Sequence, residues 1–304
     1  VSEERNTGKA LSRGITRLII FLARFLPPGA TLPLVRLLTA LAWRIHPRLR
    51  KTSLRNLELA FGDELDRKQR ERLALRSAHQ IALTALEFIY FIHWPQERVR
   101  CLVKEVEGWD LLEDALKQGK GLLGLAMHFG NWELSGAYLA LSDVALAAVG
   151  KEQRDDFFTE LAFLTRQKLG IENIASGKMG SAMLRALHEN KVLGLLSDQN
   201  GGEDGAFVPF FGLSASTVRG PAVLHLKFQT PMLLIVAKRL KPFSFRLIVR
   251  PVECTVSGKD EQAEKEVLTA MNRLYEDMIR EAPEQWLWMH RRWKTRPPGE
   301  EPLY

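Results

Sequence analysis

The chain has 304 residues, 46% hydrophobic and 26% charged, with a formal net charge of +7 and two cysteines, Cys101 and Cys254. That length and balance suit a globular protein with a substantial core and exclude a disordered or disulfide-framed chain. No second Cys or His stands at ligand spacing from either cysteine, so neither a metal nor a cofactor is called for, and a reducing compartment is expected.

The positive charge is concentrated at one end. Residues 1–56 hold eleven Lys/Arg against Glu3 and Glu4, a net +9, so the remainder sums to −2. A uniformly basic nucleic-acid binder would not be built this way. Leu11, Ile15, Leu18, Ile19 and Leu22 recur at helical spacing, with Arg13, Arg17 and Arg24 off the stripe. Pro27-Pro28-Gly29 stops that segment, and Leu32–Ile45 forms a second with Trp43 near its end. The longest uncharged run here, Phe25–Val35, is 11 residues and proline-broken, whereas a spanning helix needs about 20 apolar residues. Basic amphipathic helices with an aromatic anchor suit the face of an anionic bilayer, where each Lys/Arg contributes about 1 kcal/mol. The plainer alternative is packing on the domain. No small-residue cleavage site follows, so a cleavable signal is not expected. The division expected is an N-terminal basic amphipathic helical arm over 1–62 and one α/β domain over 63–304.

A polar helical pattern from Asp63 to about Arg76 leads into an apolar helix through Phe91, closed by Trp94-Pro95. Beyond it, short apolar runs predict strands at Leu102–Val106, Leu122–Met127, Val144–Val149, Val192–Ser197, Met232–Ala237 and Phe245–Val249. Helical periodicity predicts helices at about 109–118, 131–141, 155–169, 178–189, 217–228 and 260–281. This alternation predicts an α/β fold, a mostly parallel or mixed sheet flanked by helices. The tail, RPPGEEPLY, reads as a poorly ordered end.

In such a sheet, ligands sit outside the carboxyl ends of the strands. The stretch AMHFGNWELSG places His128 at such an end, with Gly130 for a tight turn and Asn131 as an N-cap. Glu133 falls in the first helical turn, from which it can reach back to His128. A carboxylate accepting from one imidazole nitrogen sets the tautomer and leaves the other nitrogen basic. An incidental histidine beside a capping acid is the bland reading. At a second strand end, Ser197-Asp198-Gln199-Asn200 precedes Gly201-Gly202, and Phe210, Phe211, Thr217, Arg219 and Pro221 follow. The phenylalanines suit either ordinary core or the wall of an apolar groove. The chain lacks a G-x-S-x-G elbow, the nearest approach being Gly212 to Ser216, and it lacks H-E-x-x-H and a P-loop. The segment EQWLWMHRRWKTRP sets Trp286, Trp288 and Trp293 among Arg291, Arg292, Lys294 and Arg296. Aromatics among cations can bind single strands, but Trp286, Trp288 and His290 alternate as a core strand would, and no nucleic-acid partner is expected.

Together, HFGNWE, LRNLELAFG, SDQN…VPFFG…ST…GP and EQWLWMHRRWK resemble, in order, the bacterial lipid A biosynthesis acyltransferases, the lauroyl/myristoyl transferases within the glycerolipid acyltransferase superfamily. The resemblance implies His128 as general base, Glu133 as its orienting partner, and supporting roles for Arg166 and Asp198, with Lys151 a softer match. It also implies an acyl-acyl carrier protein donor, a lipid A precursor bearing a free hydroxyl as acceptor, and work on the cytoplasmic face of the inner membrane. Backbone N–H groups near Asn131 are expected to serve the developing oxyanion. Gln199 and Thr217 are expected to support substrate, and Trp132, Phe210 and Phe211 to line the acyl groove. The same chemistry on a phosphatidylinositol mannoside or other membrane lipid is the nearest alternative, and a non-catalytic lipid-binding protein a more distant one.

Overall fold

A computed structural model describes residues 25–150, 157–175, 179–256 and 258–304. The Leu11–Leu22 stripe and Lys151 lie outside the described residues. In chain order the elements are α1 (Pro28–Ile45), α2 (Pro47–Phe61), α3 (Arg67–His93), α4 (Gln96–Arg100), β1 (Val103–Glu107), α5 (Trp109–Lys117), β2 (Leu122–Ala126) and α6 (Trp132–Ala140). There follow β3 (Leu146–Gly150), α7 (Phe157–Lys168), β4 (Glu172–Ala175), α8 (Met179–His188), β5 (Val192–Leu196), β6 (Ala206–Phe210) and β7 (Leu213–Thr217). The last are α9 (Gly220–Phe228), β8 (Met232–Lys241), β9 (Ser244–Pro251) and α10 (Glu261–Glu281).

Seven strands form one sheet in the order β1-β9-β8-β2-β5-β3-β4, all pairs parallel except β8 with β9. The fold is therefore α/β with a mostly parallel mixed sheet between helices. Period-2 alternation of the strands sorts side chains to two cores. Leu123, Leu125 and Met127 face one that includes Met271, Tyr275, Met278, Trp286 and Trp288, while Leu122 and Val192 face the other with Leu134, Ala137 and Phe88. Helix α3 is one continuous 27-residue helix, started by a reciprocal capping box between Asp66 and Gln69.

Several expectations change. Pro28 begins α1, because proline at the first helical position loses no hydrogen bond. β4 and the β6–β7 hairpin appear where none was predicted. The hairpin is a separate two-stranded antiparallel sheet, so Thr217 ends a strand and the next helix starts only at Gly220. The Trp286–Trp288 stretch is buried as a core strand would be, yet it pairs only through a single bridge between Phe129 and Trp286. The tail is docked: Arg55 Nε donates to the Leu303 carbonyl at 2.9 Å, and the Tyr304 hydroxyl bonds Asn56. Gly119-Lys120-Gly121-Leu122-Leu123-Gly124 has G-x-G-x-x-G spacing, but it enters a strand instead of joining a strand to a helix. It therefore lacks the helix N-terminus on which a dinucleotide pyrophosphate sits.

Helix α2 is tied to the domain through Asn56, whose Nδ2 donates to the carbonyls of Trp288 and His290 at 2.7 and 2.6 Å, and through fully buried Leu57. Among the described residues no helix is long and apolar enough to cross a membrane.

Candidate active site

Adjacent parallel strands β2 and β5 place two polar loops side by side at their carboxyl ends. Met127 finishes the first apolar run, and His128 turns out of the sheet. Gly130 makes the turn at φ +58°, where a Cβ would fall 2.1 Å from the Ala237 carbonyl oxygen, so only glycine fits. Asn131 caps α6: its Oδ1 accepts from the Leu134 amide at 3.0 Å, and its Nδ2 donates to Glu87 at 2.9 Å.

The carboxylate on His128 belongs to Asp198. His128 Nδ1 stands 2.8 Å from Asp198 Oδ1, and the His128 amide donates to Asp198 Oδ2 at 2.9 Å. The Trp286 indole donates to the same Oδ2 at 2.8 Å. Asp198 is therefore buried yet ionised. Burial works against its charge, but the imidazole and the two N–H donors outweigh it and hold the carboxyl below the usual aspartate range. Burial likewise works against imidazolium at His128, while the Asp198 charge and hydrogen bond, aided by Glu133, raise its pKa above the ordinary histidine value. With Nδ1–H pointed at Asp198, Nε2 carries the lone pair and faces outward; among the described residues its close polar neighbour is the Gln199 amide at 3.4 Å. His128 retains 18% side-chain exposure against 1% for Asp198.

Glu133 does not bond the imidazole. It forms a two-pronged ion pair with Arg166, at 2.9 Å to Nε and 2.6 Å to Nη2. The physical reason is reach: Asp198 arrives from the neighbouring strand end directly under Nδ1, whereas Glu133 projects from α6 towards α7. Arg166, with its charge supported by Glu133 against the cost of burial, has a raised pKa.

Beside this pair runs an apolar cleft whose walls include Trp132, Gly136, Leu139, Leu146 and Val149. Its sheet side combines Gly124 and Gly194, which pair across β2 and β5, with Ala126, Ala148, Val192, Leu196 and Ile235. Larger side chains there would close the space between sheet and α6. Trp132 joins the two parts of the site, since its ring packs on the His128 ring at 5.1 Å and also lines the cleft.

Other predicted residues have scaffold positions. Phe210 and Phe211 do not line this cleft; they pack with Phe61, Trp286, Trp288 and Trp293 in the aromatic core, where the β6–β7 hairpin folds back on the domain. Thr217 is fully buried and accepts from Arg292 at 2.8 Å. The amides of Gly130 and Asn131 bond the carbonyls of Gln285 and Ala237 at 3.1 and 3.0 Å, so neither is available to an oxyanion.

Sequence reasoning missed the supports. Trp286 aligns Asp198, and His290 Nε2 accepts from the Asn200 amide at 3.1 Å, which pins the same loop. Burial holds the His290 pKa below the ordinary value, as an accepting imidazole requires. Beneath α6, buried Glu87 accepts from Arg239 at 2.5 and 3.3 Å, from the Phe243 amide at 3.1 Å and from Asn131. Arg239 also reaches Gln80 and Thr84, and Thr84 holds the Gly130 carbonyl at 2.7 Å. The one available signal was a Glu in an otherwise apolar stretch of helix, Leu86 to Ile92.

A histidine with a buried acid on Nδ1 and an outward Nε2 beside an apolar cleft can act as a general base. The chain matches the family described as "Bacterial lipid A biosynthesis acyltransferase" over residues 9–295. It belongs to that family. Relatives within or near it include the lipid A biosynthesis palmitoleoyltransferase of Escherichia coli, 29% identical over 268 residues, with 87% of this chain and 85% of the relative covered. The lauroyltransferase of the same organism is 28% identical over 270 residues, at 87% and 85% coverage. A phosphatidylinositol mannoside acyltransferase of Mycobacterium tuberculosis is 25% identical over 138 residues, 44% of each chain. The acyltransferase fold thus frames the residues described above.

Proposed function

We propose that this acyltransferase moves a fatty acyl chain from an acyl-acyl carrier protein thioester to a hydroxyl of a lipid A precursor, at the cytoplasmic face of the bacterial inner membrane. The observation that carries the reading is the Asp198–His128 pair with Nε2 left open beside an apolar cleft. The acceptor hydroxyl gives its proton to His128 Nε2 as its oxygen bonds the thioester carbonyl carbon. The tetrahedral intermediate then collapses, the carbon–sulfur bond breaks, and the departing thiolate takes the proton from Nε2. Asp198 stays ionised throughout and stabilises the transient imidazolium, as the acid of a hydrolase triad does. The Gln199 side-chain amide, next to Nε2, is the donor nearest to the developing oxyanion. The acyl chain enters the cleft past Trp132, and the Glu133–Arg166 pair fixes the cleft's polar rim.

Membrane attachment follows from α1, whose Leu34, Leu37, Leu38, Leu41 and Ile45 recur on one face and are all exposed. Together with Arg44 and with Arg48, Arg50 and Lys51 of α2, this face suits an anionic bilayer, entered shallowly. The similarity to a phosphatidylinositol mannoside acyltransferase supports a second acceptor class under the same chemistry.

The test is in vitro transfer from an acyl-acyl carrier protein to a purified lipid A precursor, read by mass spectrometry. Wild type should add one acyl residue and His128→Ala none, with unchanged circular dichroism. Acylation of the mannoside alone would select the second acceptor, and full activity of the alanine variant would remove the histidine from the mechanism.

A further inference from the structure

Away from the cleft, α1 and α3 lie side by side and enclose a surface cavity of about 360 Å³. Arg36 enters from α1, and Arg76 and His79 from α3, with Thr39 and Gln80 between them. No carboxylate lines it, and among the described residues none pairs with either guanidinium. His79 Nδ1 is buried without a hydrogen-bond partner, which is uncommon for a buried polar atom and calls for an explanation. Burial first, and then the charges of Arg36 and Arg239, push the His79 pKa down. Three cationic or proton-accepting groups thus crowd one hollow with no carboxylate, among the described residues, to balance them. Unpaired surface arginines alone would mean little, since exposed charges are well solvated. Here they border an orphaned buried nitrogen and, on the same helix, the exposed leucine face.

We infer that this cavity binds the phosphoryl group of a lipid headgroup, Arg36 and Arg76 gripping its oxygens while the lipid's hydrocarbon lies along the α1 leucines. Guanidinium forks match phosphate oxygens and hold them through two-pronged, charge-assisted hydrogen bonds. The arriving anion reverses the repulsion on His79, so its imidazole takes up a proton and Nδ1 gains its missing partner. The inference stands apart from the His128 mechanism and survives if that mechanism fails.

Calorimetric titration of the full chain with dihexanoyl phosphatidic acid below its micelle concentration, and separately with inorganic phosphate, tests it. Arg36→Ala/Arg76→Ala should weaken saturable binding at least about tenfold. Lys227→Ala/Lys259→Ala, which removes the same charge from exposed positions outside the cavity and the α1–α2 face, should change it less than about threefold. Tighter binding of the lipid than of phosphate assigns the source to a membrane headgroup. Equal binding with the same variant dependence supports the phosphoryl site but overturns the leucine contribution. Equal losses in the two double variants, or no saturable binding by wild type, overturn the site itself. In the wild-type protein, the His79 imidazole resonances should move to the protonated form on titration; resonances that stay put at saturation also overturn it.

Discussion

Two buried charge pairs flank the start of α6, and they differ in one respect. Glu87 and Arg239 engage their polar atoms fully, with each other, with Gln80, Thr84 and Asn131 and with the Phe243 amide. His128 and Asp198 are as well bonded on the inner side, through Nδ1, the His128 amide and the Trp286 indole, but Nε2 has only a long contact to Gln199. A saturated pair is scaffold. A pair with one basic nitrogen directed outward is the reacting group of the mechanism proposed above, and the first pair holds the loop that carries it.

The sharpest way to break this comparison is Asp198→Asn. It removes the charge that sets the tautomer, so turnover should fall on the order of 10³–10⁴ with the fold retained, measured by acyl transfer and near-UV circular dichroism. Glu87→Gln should act in the opposite sense. It leaves Arg239 buried without its counter-charge and should cost about 3–5 kcal/mol of stability, read by urea denaturation, while the molecules still folded lose less than about tenfold in turnover. Loss of activity without loss of stability in this variant would contradict its assignment as scaffold.

Glu133→Gln comes next. Weakening the ion pair with Arg166 should lower transfer by roughly 10–100-fold, the worth of one charge-assisted bond. An effect as large as that of Asp198→Asn, with the same displacement of the pH profile, would mean that Glu133 shares the orienting role. The smallest effect expected is in the pH dependence itself. Because Nε2 must be unprotonated, kcat/KM should rise with pH through the His128 pKa, which lies above 6.5. In Asp198→Asn, the midpoint should move down. Stability has the other sign. A folded-state pKa raised above the unfolded value stabilises fully below about 6.5, and that contribution is lost as pH rises through the folded value. A urea midpoint that climbs over that window in wild type, and not in Asp198→Asn, would contradict the pairing.

Much of the site could be read in the chain before any folding. His128 at a strand end, the helix start at Asn131 and the polar cluster at Ser197–Asn200 follow from local pattern: apolar runs that stop, a glycine where the turn needs positive φ, and a capping side chain. The apolar cleft also left a trace, because LLGLA and VLGLL each place a glycine at the strand centre. Those glycines face each other only once β2 and β5 are neighbours in register, Gly124 opposite Gly194, with Gly124 leaving room for the Val192 side chain. Phe210 and Phe211 show the converse. Apolar residues beside a polar loop fit core and groove equally, and only the return of the hairpin onto Phe61 and Trp288 decides for core.

By itself, the sequence determined the α/β alternation, the basic apolar N-terminal end and the strand-end position of the histidine proposed to carry the chemistry, since each depends on residues within a few positions of one another. Tertiary structure alone decided which acid meets His128. Glu133 is five residues away and Asp198 seventy, yet β2 and β5 are adjacent strands, and their shared carboxyl edge brings the distant carboxylate to 2.8 Å while Arg166 draws the near one aside. Proximity along the chain sets which side chains can meet within one turn, whereas strand order sets which loops share an edge, and here the second governed the site.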